Sequence, residues 1–388
     1  MMGPDAQLTG VRLGGADDVV DLRLSGGKIA ALTPSAAPAA TLILPLMADA
    51  HVHLDKTFTT RRTGAGAVSL FDAIERMQAD KSNWTADDLY ARASLAMEKA
   101  YRHGVAAMRT HVDWNTAEVP VAWGVMDDLA REWRGRVDLQ LASLSPIDLL
   151  AESGEQIAAH VRKTGGVFGA FIYRNDGLAD KVADVFALSD AHDLPLDFHV
   201  DEGLESEAQG FDLIVDQAAQ RRDGPSVLCG HACSLSVRPQ DEVKAVLERA
   251  AAAQVGLVVL PTTNSYLQDN APDRTPRLRG IAPMKEAALA GVDVIIASDN
   301  VCDVFFPYGD YDLFDVYRGG VHLAQLEPAA WIDAITQGAA RWCDGAAVTP
   351  LTVGAPANFI AVQASDLHDA ISRPSAVRHI YRNGEILA

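Results

Sequence analysis

Short apolar runs alternate with longer amphipathic segments along most of this chain. The short runs are typical of buried strands, and the longer segments, with apolar residues every three or four positions, are typical of helices. Because the two kinds of segment alternate, the pattern predicts parallel strands joined by helical crossovers. We predict eight such strands, at residues 42–47, 106–110, 137–142, 167–171, 196–198, 226–229, 256–260 and 292–297.

The two ends of the chain have a different pattern. Residues 19–29 alternate apolar and polar positions around a glycine pair, which predicts a hairpin, and residues 354–362 and 380–387 repeat this style. We therefore predict an α/β fold in which eight strands close into a TIM-type (β/α)8 barrel and the termini form a small β-sandwich domain. The predicted division is 1–44 with 346–388 for the small domain and 45–345 for the catalytic barrel.

Composition narrows the classes of function. The 388 residues are 48% hydrophobic and 22% charged, which suits a globular chain, and no apolar run approaches membrane-spanning length. The formal net charge of −19 would repel phosphate backbones and anionic lipids, so we expect neither nucleic-acid nor membrane partners. Four cysteines do not form a disulfide framework, and the N-terminus lacks the features of a secretory signal. We therefore expect a cytoplasmic protein.

His51 and His53 follow the first predicted strand. Residues two apart in an extended strand point to the same face, so these two imidazoles can converge on one point. Two nitrogen ligands at one point suggest a transition metal, whereas an isolated pair could also be two histidines on a solvated strand. The other polar residues decide between these two interpretations.

Imidazole and carboxylate groups follow five of the eight predicted strands. In an α/β barrel the chemistry lies at the C-terminal ends of the strands. Five of the 11 histidines lie there, and scattered surface histidines would not be sorted in this way. The pattern therefore favours a site for a divalent metal and an activated water. Its members are His51, His53, His111, Asp113, His199, Glu202, His231 and Asp299.

These residues and their surroundings resemble the metal-dependent amidohydrolase superfamily and, within it, the cytosine deaminase branch. The similar segments are HVHLDKT at 51–57, THVD at 110–113, HVDEG at 199–203, GHACSLS at 230–236, LQDN to RLRGIAPMKE at 267–286, and SDNVCDVFFPYG at 298–309. The terminal segments GAPANFIAV and RNGEI also resemble the small domain of that superfamily. The resemblance therefore extends over nearly the whole chain.

The resemblance implies roles for individual residues. It implies that one divalent metal ion is bound by four side chains, His51, His53, His199 and Asp299. A water would complete the coordination, and Asp299 would accept its proton. His231 would stabilise developing oxyanion charge, although its position also suits a ligand to a second metal. Glu202 would transfer protons to a ring nitrogen and then to departing ammonia.

The same resemblance bears on the number of metal ions. Members with two metals usually have a carbamylated lysine at the end of strand four. The corresponding residues 169–174 include no lysine, which favours a single ion. Three imidazoles and a carboxylate suit zinc and iron equally, so the metal is expected to be one of these two.

Two departures from cytosine deaminases concern substrate recognition. Those enzymes have an amide side chain after strand three, which residues 143–148 lack, and a second aspartate where this chain has Asn300. A buried site rejects ligands that leave its polar groups unpaired, so these changes argue against cytosine itself. The candidate substrate-binding residues are Lys56, Asp113, Trp114, Arg174, Asn300 and Phe305.

The leading hypothesis is a hydrolase acting on C–N bonds that deaminates a cyclic amidine in a pyrimidine, triazine or related N-heterocycle and releases ammonia. One alternative is the displacement of an alkylamine from a ring, or the opening of a cyclic amide, at the same site. Another is a binding protein that has lost turnover. The expected partner is a small heterocyclic substrate, and the resemblance leaves assembly into a homo-oligomer open.

Overall fold

The computed structural model describes residues 5–221 and 224–387, and its strands form two sheets. The strands are β1 (Ala6–Leu13), β2 (Val19–Ser25), β3 (Lys28–Pro34), β4 (Thr41–Pro45), β5 (Met47–Val52), β6 (Val105–Asp113), β7 (Asp138–Pro146), β8 (Phe168–Ile172), β9 (Leu196–Val200), β10 (Val227–His231), β11 (Val255–Val259), β12 (Val294–Ile296), β13 (Phe359–Val362), β14 (Arg378–Arg382) and β15 (Glu385–Ile386).

Helices connect most of these strands. They are α1 (Thr60–Thr63), α2 (Leu70–Asp80), α3 (Ala86–Arg102), α4 (Val121–Trp133), α5 (Ile147–Thr164), α6 (Leu178–His192), α7 (Gly210–Ala218), α8 (Gln240–Ala252), α9 (Pro261–Leu267), α10 (Met284–Ala290), α11 (Leu313–Ala324), α12 (Pro328–Trp331), α13 (Gln337–Ala340) and α14 (Leu367–Ser372). Short 3-10 helices lie at Lys81–Asn83, Cys233–Val237 and Ile332–Ile335. Within the described ranges, no helix is long and apolar enough to cross a bilayer.

Strands β5 to β12 form an eight-stranded sheet in which each strand is parallel to the next one in the chain. Several of these strands are buried at every position, as in β9, β10 and β11, because helices cover the outer face and side chains fill the interior. The predicted (β/α)8 barrel is confirmed.

The first barrel strand differs from the predicted one. We expected residues 42–47 to form it, but Thr41–Pro45 belongs to the other sheet and the barrel strand begins at Met47. Pro45 ends the earlier strand, where a residue without an N–H group costs no ladder bond. The apolar run continues across this point, so its pattern does not show the change of sheet. As a result, His51 lies inside β5 and not after it.

The barrel closes between β5 and the residues after β12. The backbone N–H of Asp299 donates to the carbonyl of His51 at 2.8 Å, and Val52 and Asp299 form a parallel bridge. The buried carboxylate of Asp49 accepts a hydrogen bond from the N–H of Ser298 at 3.0 Å. The bonds that close the barrel therefore also bring Asp299 beside His51.

The two ends of the chain form a second sheet of seven strands, in the order β15-β14-β13-β4-β1-β2-β3. Strand β4 joins the two ends, because it pairs in parallel with β1 and antiparallel with β13. At the β3 edge, the N–H of Ile29 donates to the carbonyl of Ala355 at 2.9 Å. The predicted small domain is thus one continuous sheet that closes over its own core, while the predicted domain boundaries stay a prediction.

Candidate metal and catalytic site

Four side chains at the C-terminal ends of the barrel strands converge on one point. The Nε2 atoms of His51 and His199 lie 3.0 Å apart, and those of His199 and His53 lie 3.1 Å apart. Oδ1 of Asp299 lies 3.2 Å from Nε2 of His53 and 3.6 Å from Nε2 of His51. Tetrahedral ligands about 2.1 Å from a zinc ion would be roughly 3.4 Å apart, which is close to these four separations. His51, His53 and Asp299 also form a group whose candidate ligand atoms all lie within 4.8 Å of one another.

The electrostatics of this cluster suit a cation. All four side chains are at most 3% exposed, and neither carboxylate oxygen of Asp299 accepts a hydrogen bond of ordinary length from the described residues. Burial lowers the pKa of His51, His53 and His199 well below the ordinary value, so these imidazoles are neutral, as metal ligands must be. A divalent ion would offset the cost of burying the carboxylate. This His/Asp group could therefore hold a metal.

A second group of polar side chains lies beside the first, inside the barrel. The rings of His111 and His51 are 4.1 Å apart between centroids, and Nε2 of His111 lies 3.2 Å from Oδ1 of Asp197. Asp197 is also paired with Arg109, whose Nη1 lies 2.6 Å from Oδ2. This carboxylate is thus already compensated by a cation, unlike that of Asp299.

Glu202 and His231 are the other two predicted catalytic residues, and both lie next to the cluster. Oε1 of Glu202 lies 3.5 Å from Nδ1 of His231, and both side chains are buried. Burial, and secondarily the charge of Asp299, raises the pKa of Glu202 well above its ordinary value. Burial lowers the pKa of His231 to about 4. The site therefore places a carboxyl group whose raised pKa favours its protonated form beside an imidazole whose lowered pKa favours its neutral form, a combination suited to proton transfer.

A cleft of about 420 Å³ leads from these residues to the protein surface. Its inner end is formed by His53, His199, Glu202 and His231. Its walls are largely apolar and come from α2, the strand ends and the loop after β12; they include Leu70, Phe71, Ile74, Met77, Leu144, Phe171 and Phe305. The sequence did not indicate that α2 forms a wall of the cleft, because apolar residues at helical spacing are equally typical of ordinary core packing.

Five of the six predicted substrate-binding residues line this cleft. Nζ of Lys56 lies 2.9 Å from Oδ1 of Asp113 and 5.5 Å from the centroid of the Phe305 ring. Asp113 also binds Lys81, whose Nζ lies 2.8 Å from Oδ2. Burial opposes ionisation of Asp113, but the two ammonium groups outweigh it and lower the pKa of this carboxyl. Lys56 and Asp113 therefore neutralise each other in the cleft wall.

The other two predicted residues differ in burial. Asn300 is buried and donates through Nδ2 to Asp303 at 2.7 Å, which leaves its carbonyl oxygen for the cleft. Arg174 is half-exposed at the rim and pairs with Glu207 at 3.0 Å. Asn300 thus belongs to the inner part of the cleft and Arg174 to its mouth.

Trp114 does not line the cleft, and its prediction as a pocket residue is wrong. Its indole is 1% exposed and packs against Trp123 and His160, with ring centroids 5.2 and 5.6 Å away. Side chains alternate in an extended chain, so Asp113 faces the cleft while the next residue faces the surrounding helices.

The fold and the site define a barrel enzyme with a candidate metal centre. Residues 172–388 match the amidohydrolase family. Pterin deaminase from Rhizobium rhizogenes is 31% identical over 353 residues, which cover 89% of this chain and 80% of that protein. The chain therefore belongs to the amidohydrolase family.

Two solved structures share the fold over nearly the whole chain. The 5-methylcytosine deaminase from Klebsiella pneumoniae, liganded with 5-fluorocytosine, superimposes with a TM-score of 0.86 at 23% identity, covering 99% of this chain and 97% of the other. The N-isopropylammelide isopropylaminohydrolase from Burkholderia multivorans gives 0.79 at 26% identity, covering 98% and 97%. The predicted class, a hydrolase acting on C–N bonds and related to deaminases of N-heterocycles, is confirmed.

Gly230 provides a test of the cluster geometry. A Cβ atom at this residue would lie 2.8 Å from Cε1 of His51, so Gly230→Ala must displace that ring. We expect zinc affinity to fall about 10- to 100-fold, as it does when the support of a ligand is lost. The control is Gly124→Ala in α4, where an added Cβ meets no atom within 4 Å. Equal zinc affinity of the two variants, measured by competition with a chelator, would contradict the geometry.

Proposed function

We propose that this protein is a hydrolytic deaminase of an amino-substituted N-heterocycle and that it uses one divalent metal ion, zinc or iron. The observation that carries the proposal is the convergence of three neutral imidazole nitrogens and one uncompensated carboxylate beside a buried carboxylic acid. The relatives named above are a pterin deaminase, a 5-methylcytosine deaminase and an isopropylaminohydrolase, all of which release an amine from a ring.

His51, His53, His199 and Asp299 would hold the ion. Such an ion supplies Lewis acidity, which makes water a nucleophile near neutral pH. Asp299 is suited to accept the proton of the attacking water, because its carboxylate lies beside the ligand nitrogens and accepts no hydrogen bond of ordinary length from the described residues. The stretch 169–174 includes no lysine that could be carbamylated to bridge a second ion, which supports a single metal.

Glu202 would carry the proton transfers. Burial raises the pKa of Glu202 and so favours the protonated carboxyl, which can donate to the ring nitrogen while water attacks the adjacent carbon. The ionised Glu202 would then take up one proton of the attacking water and pass it to the departing amino group. The other proton of that water, accepted by Asp299, would restore the carboxylic acid, so that water and the amidine become a cyclic amide and ammonia. His231, at the inner end of the same cleft, would donate to the new oxygen.

The cleft favours a substrate larger than a single pyrimidine. Leu144 and Pro146 line it where cytosine deaminases have an amide, and the apolar wall continues outward along α2 to Phe71. Phe71 is 53% exposed and meets Tyr173 edge-to-face at 5.0 Å between ring centroids. Flat apolar walls of this kind suit a fused aromatic ring. Together with the 31% identity to a pterin deaminase, this supports a two-ring amidine of the pterin type.

A second candidate is the removal of an alkylamine from a ring. It is favoured by the 26% identity, over nearly the whole chain, to the isopropylaminohydrolase. The apolar groups that line the cleft could bind an alkyl substituent as well as a second ring. Analysis of the released product separates the two candidates, because one releases ammonia and the other a primary alkylamine.

Two variants separate metal binding from proton transfer. His199→Ala removes a ligand nitrogen, so we expect it to lose both zinc and ammonia release. Glu202→Gln removes only the acid, so it should retain about one zinc per chain while kcat falls on the order of 100- to 10,000-fold. Zinc content and ammonia release from pterin are measured on the same samples. Equal zinc content and equal rates in the two variants would contradict these assignments.

Phe71 tests the size of the substrate. An aromatic pair contributes about 0.5–1.5 kcal/mol, so Phe71→Ala should lower kcat/KM for pterin roughly 2- to 10-fold. It should leave kcat/KM nearly unchanged for an aminated one-ring heterocycle that the protein also deaminates, because such a ring does not reach Phe71. The control is Leu289→Ala, which removes an apolar side chain that is 89% exposed on α10, outside the cleft. A fall of the same size for pterin and for the one-ring substrate, or for both variants, would refute the two-ring substrate.

A further inference from the structure

We propose that Asn264 is a positioning residue that fixes the tautomer of His231, so that Nε2 carries the ring proton and donates it toward the reacting centre. The inference rests on the proposed function, because the acceptor is the oxygen that forms when water attacks the ring. It assigns a role to a residue in α9, the helix that follows β11.

The contact between the two side chains is buried and short. Nδ2 of Asn264 lies 3.0 Å from Nδ1 of His231, and the two residues are 0% and 1% exposed. An amide nitrogen can only donate, so the ring nitrogen that faces it must be unprotonated. A neutral imidazole has a single N–H group, and that group is then on Nε2.

The remaining nitrogen of His231 faces the site. Among the described residues, Nε2 has no hydrogen-bond partner, although the side chain lines the inner end of the cleft. His231 also belongs to a group with His51 and His199 whose candidate ligand atoms lie within 4.8 Å of one another. A buried N–H group without a protein partner costs free energy unless a ligand oxygen accepts it. The reaction would supply such an oxygen.

The backbone limits the freedom of this histidine. His231 and Ala232 are left-handed, with φ of 70° and 46°, and the N–H of Ala232 is held by the carbonyl of Val200 at 2.9 Å. Non-glycine residues adopt this conformation only where the surroundings enforce it. The main chain at His231 is therefore held in one conformation, and the contacts of the imidazole determine which of its nitrogens carries the proton.

Glu202 is the competing neighbour of the same nitrogen. Its Oε1 lies 3.5 Å from Nδ1 of His231 and would favour a proton there if it acted as the acceptor. This distance exceeds the ordinary range of about 2.7–3.2 Å for such bonds, whereas the contact with Asn264 lies within it. The shorter contact determines the tautomer.

The tautomer also determines whether His231 binds the metal. With the proton on Nδ1, the lone pair of Nε2 would make His231 a fourth imidazole ligand. With the proton on Nε2, the ring can only donate through that atom. Asn264 thus keeps His231 outside the coordination shell and available to the reacting oxygen.

The direct test is nuclear magnetic resonance on zinc-loaded protein with 15N-labelled histidine, in which long-range 1H–15N correlations report the protonated nitrogen. His231→Gln identifies the signals of His231. We expect the proton on Nε2 in the unmodified chain and on Nδ1 in Asn264→Asp, whose carboxylate has the same size but accepts. A proton on Nδ1 in the unmodified chain would overturn the proposal, whatever the activity of the variants.

Kinetics provides a second test. Asn264→Asp should lower kcat for pterin about 10- to 100-fold with KM and zinc content nearly unchanged. In the His231→Gln background, where an amide N–H replaces the imidazole, the same change should cost less than about 2-fold. Equal losses in both backgrounds would indicate a merely structural role and overturn the proposal. The control is Asn358→Asp in the small sheet, where Oδ1 already accepts from the N–H of Asn383.

The two proposals fail in different ways. If zinc-loaded, unmodified protein released no amine from pterin, cytosine or alkylated triazines, the proposed function would fail. The spectrum would still report the tautomer of His231. If amine were released but the proton lay on Nδ1, only the role of Asn264 would fail.

Discussion

The backbone hydrogen bond from Asp299 to the carbonyl of His51 joins the end of the last barrel strand to the first. Asp49, two residues before His51, reinforces this closure because its carboxylate accepts a hydrogen bond from the N–H of Ser298. The carboxylate and the first imidazole of the candidate metal site lie far apart in sequence, so their proximity depends on closure of the barrel. Any ion held between them would in turn stabilise the closed barrel, because it would bind the folded state and not the separated strands.

The buried carboxylates in and around the site differ in how their charge is compensated. Asp197 and Asp113 each have cationic partners, Arg109 for the first and two lysines for the second. Among the described residues, Asp299 has no Lys or Arg partner within ion-pair distance, and the side chains closest to its Oδ1 are the imidazoles of His51 and His53, which makes it the carboxylate best suited to a metal. Farther from the candidate metal site, the walls of the cleft are largely apolar. In the proposed function, the part of the site that would perform the chemistry is therefore distinct from the part that would select the ring.

The barrel and the convergence of the histidines were predictable, because parallel strands place their C-terminal ends together whatever the exact strand limits. The boundary between β4 and β5 was not predictable, because one apolar run continues from one sheet into the other. Trp114 follows a pocket residue but faces the opposite side. The sequence pattern indicated no role for Asn264, because a single asparagine in a short helix is given its proposed role only by the imidazole that it contacts.

The most direct test of the account is anomalous diffraction at the zinc edge from crystals of the zinc-loaded protein. We expect one peak, about 2.0–2.2 Å from Nε2 of His51, His53 and His199 and from Oδ1 of Asp299. A second peak of comparable height, or a single peak coordinated by His231 or by His111 and Asp197, would contradict it.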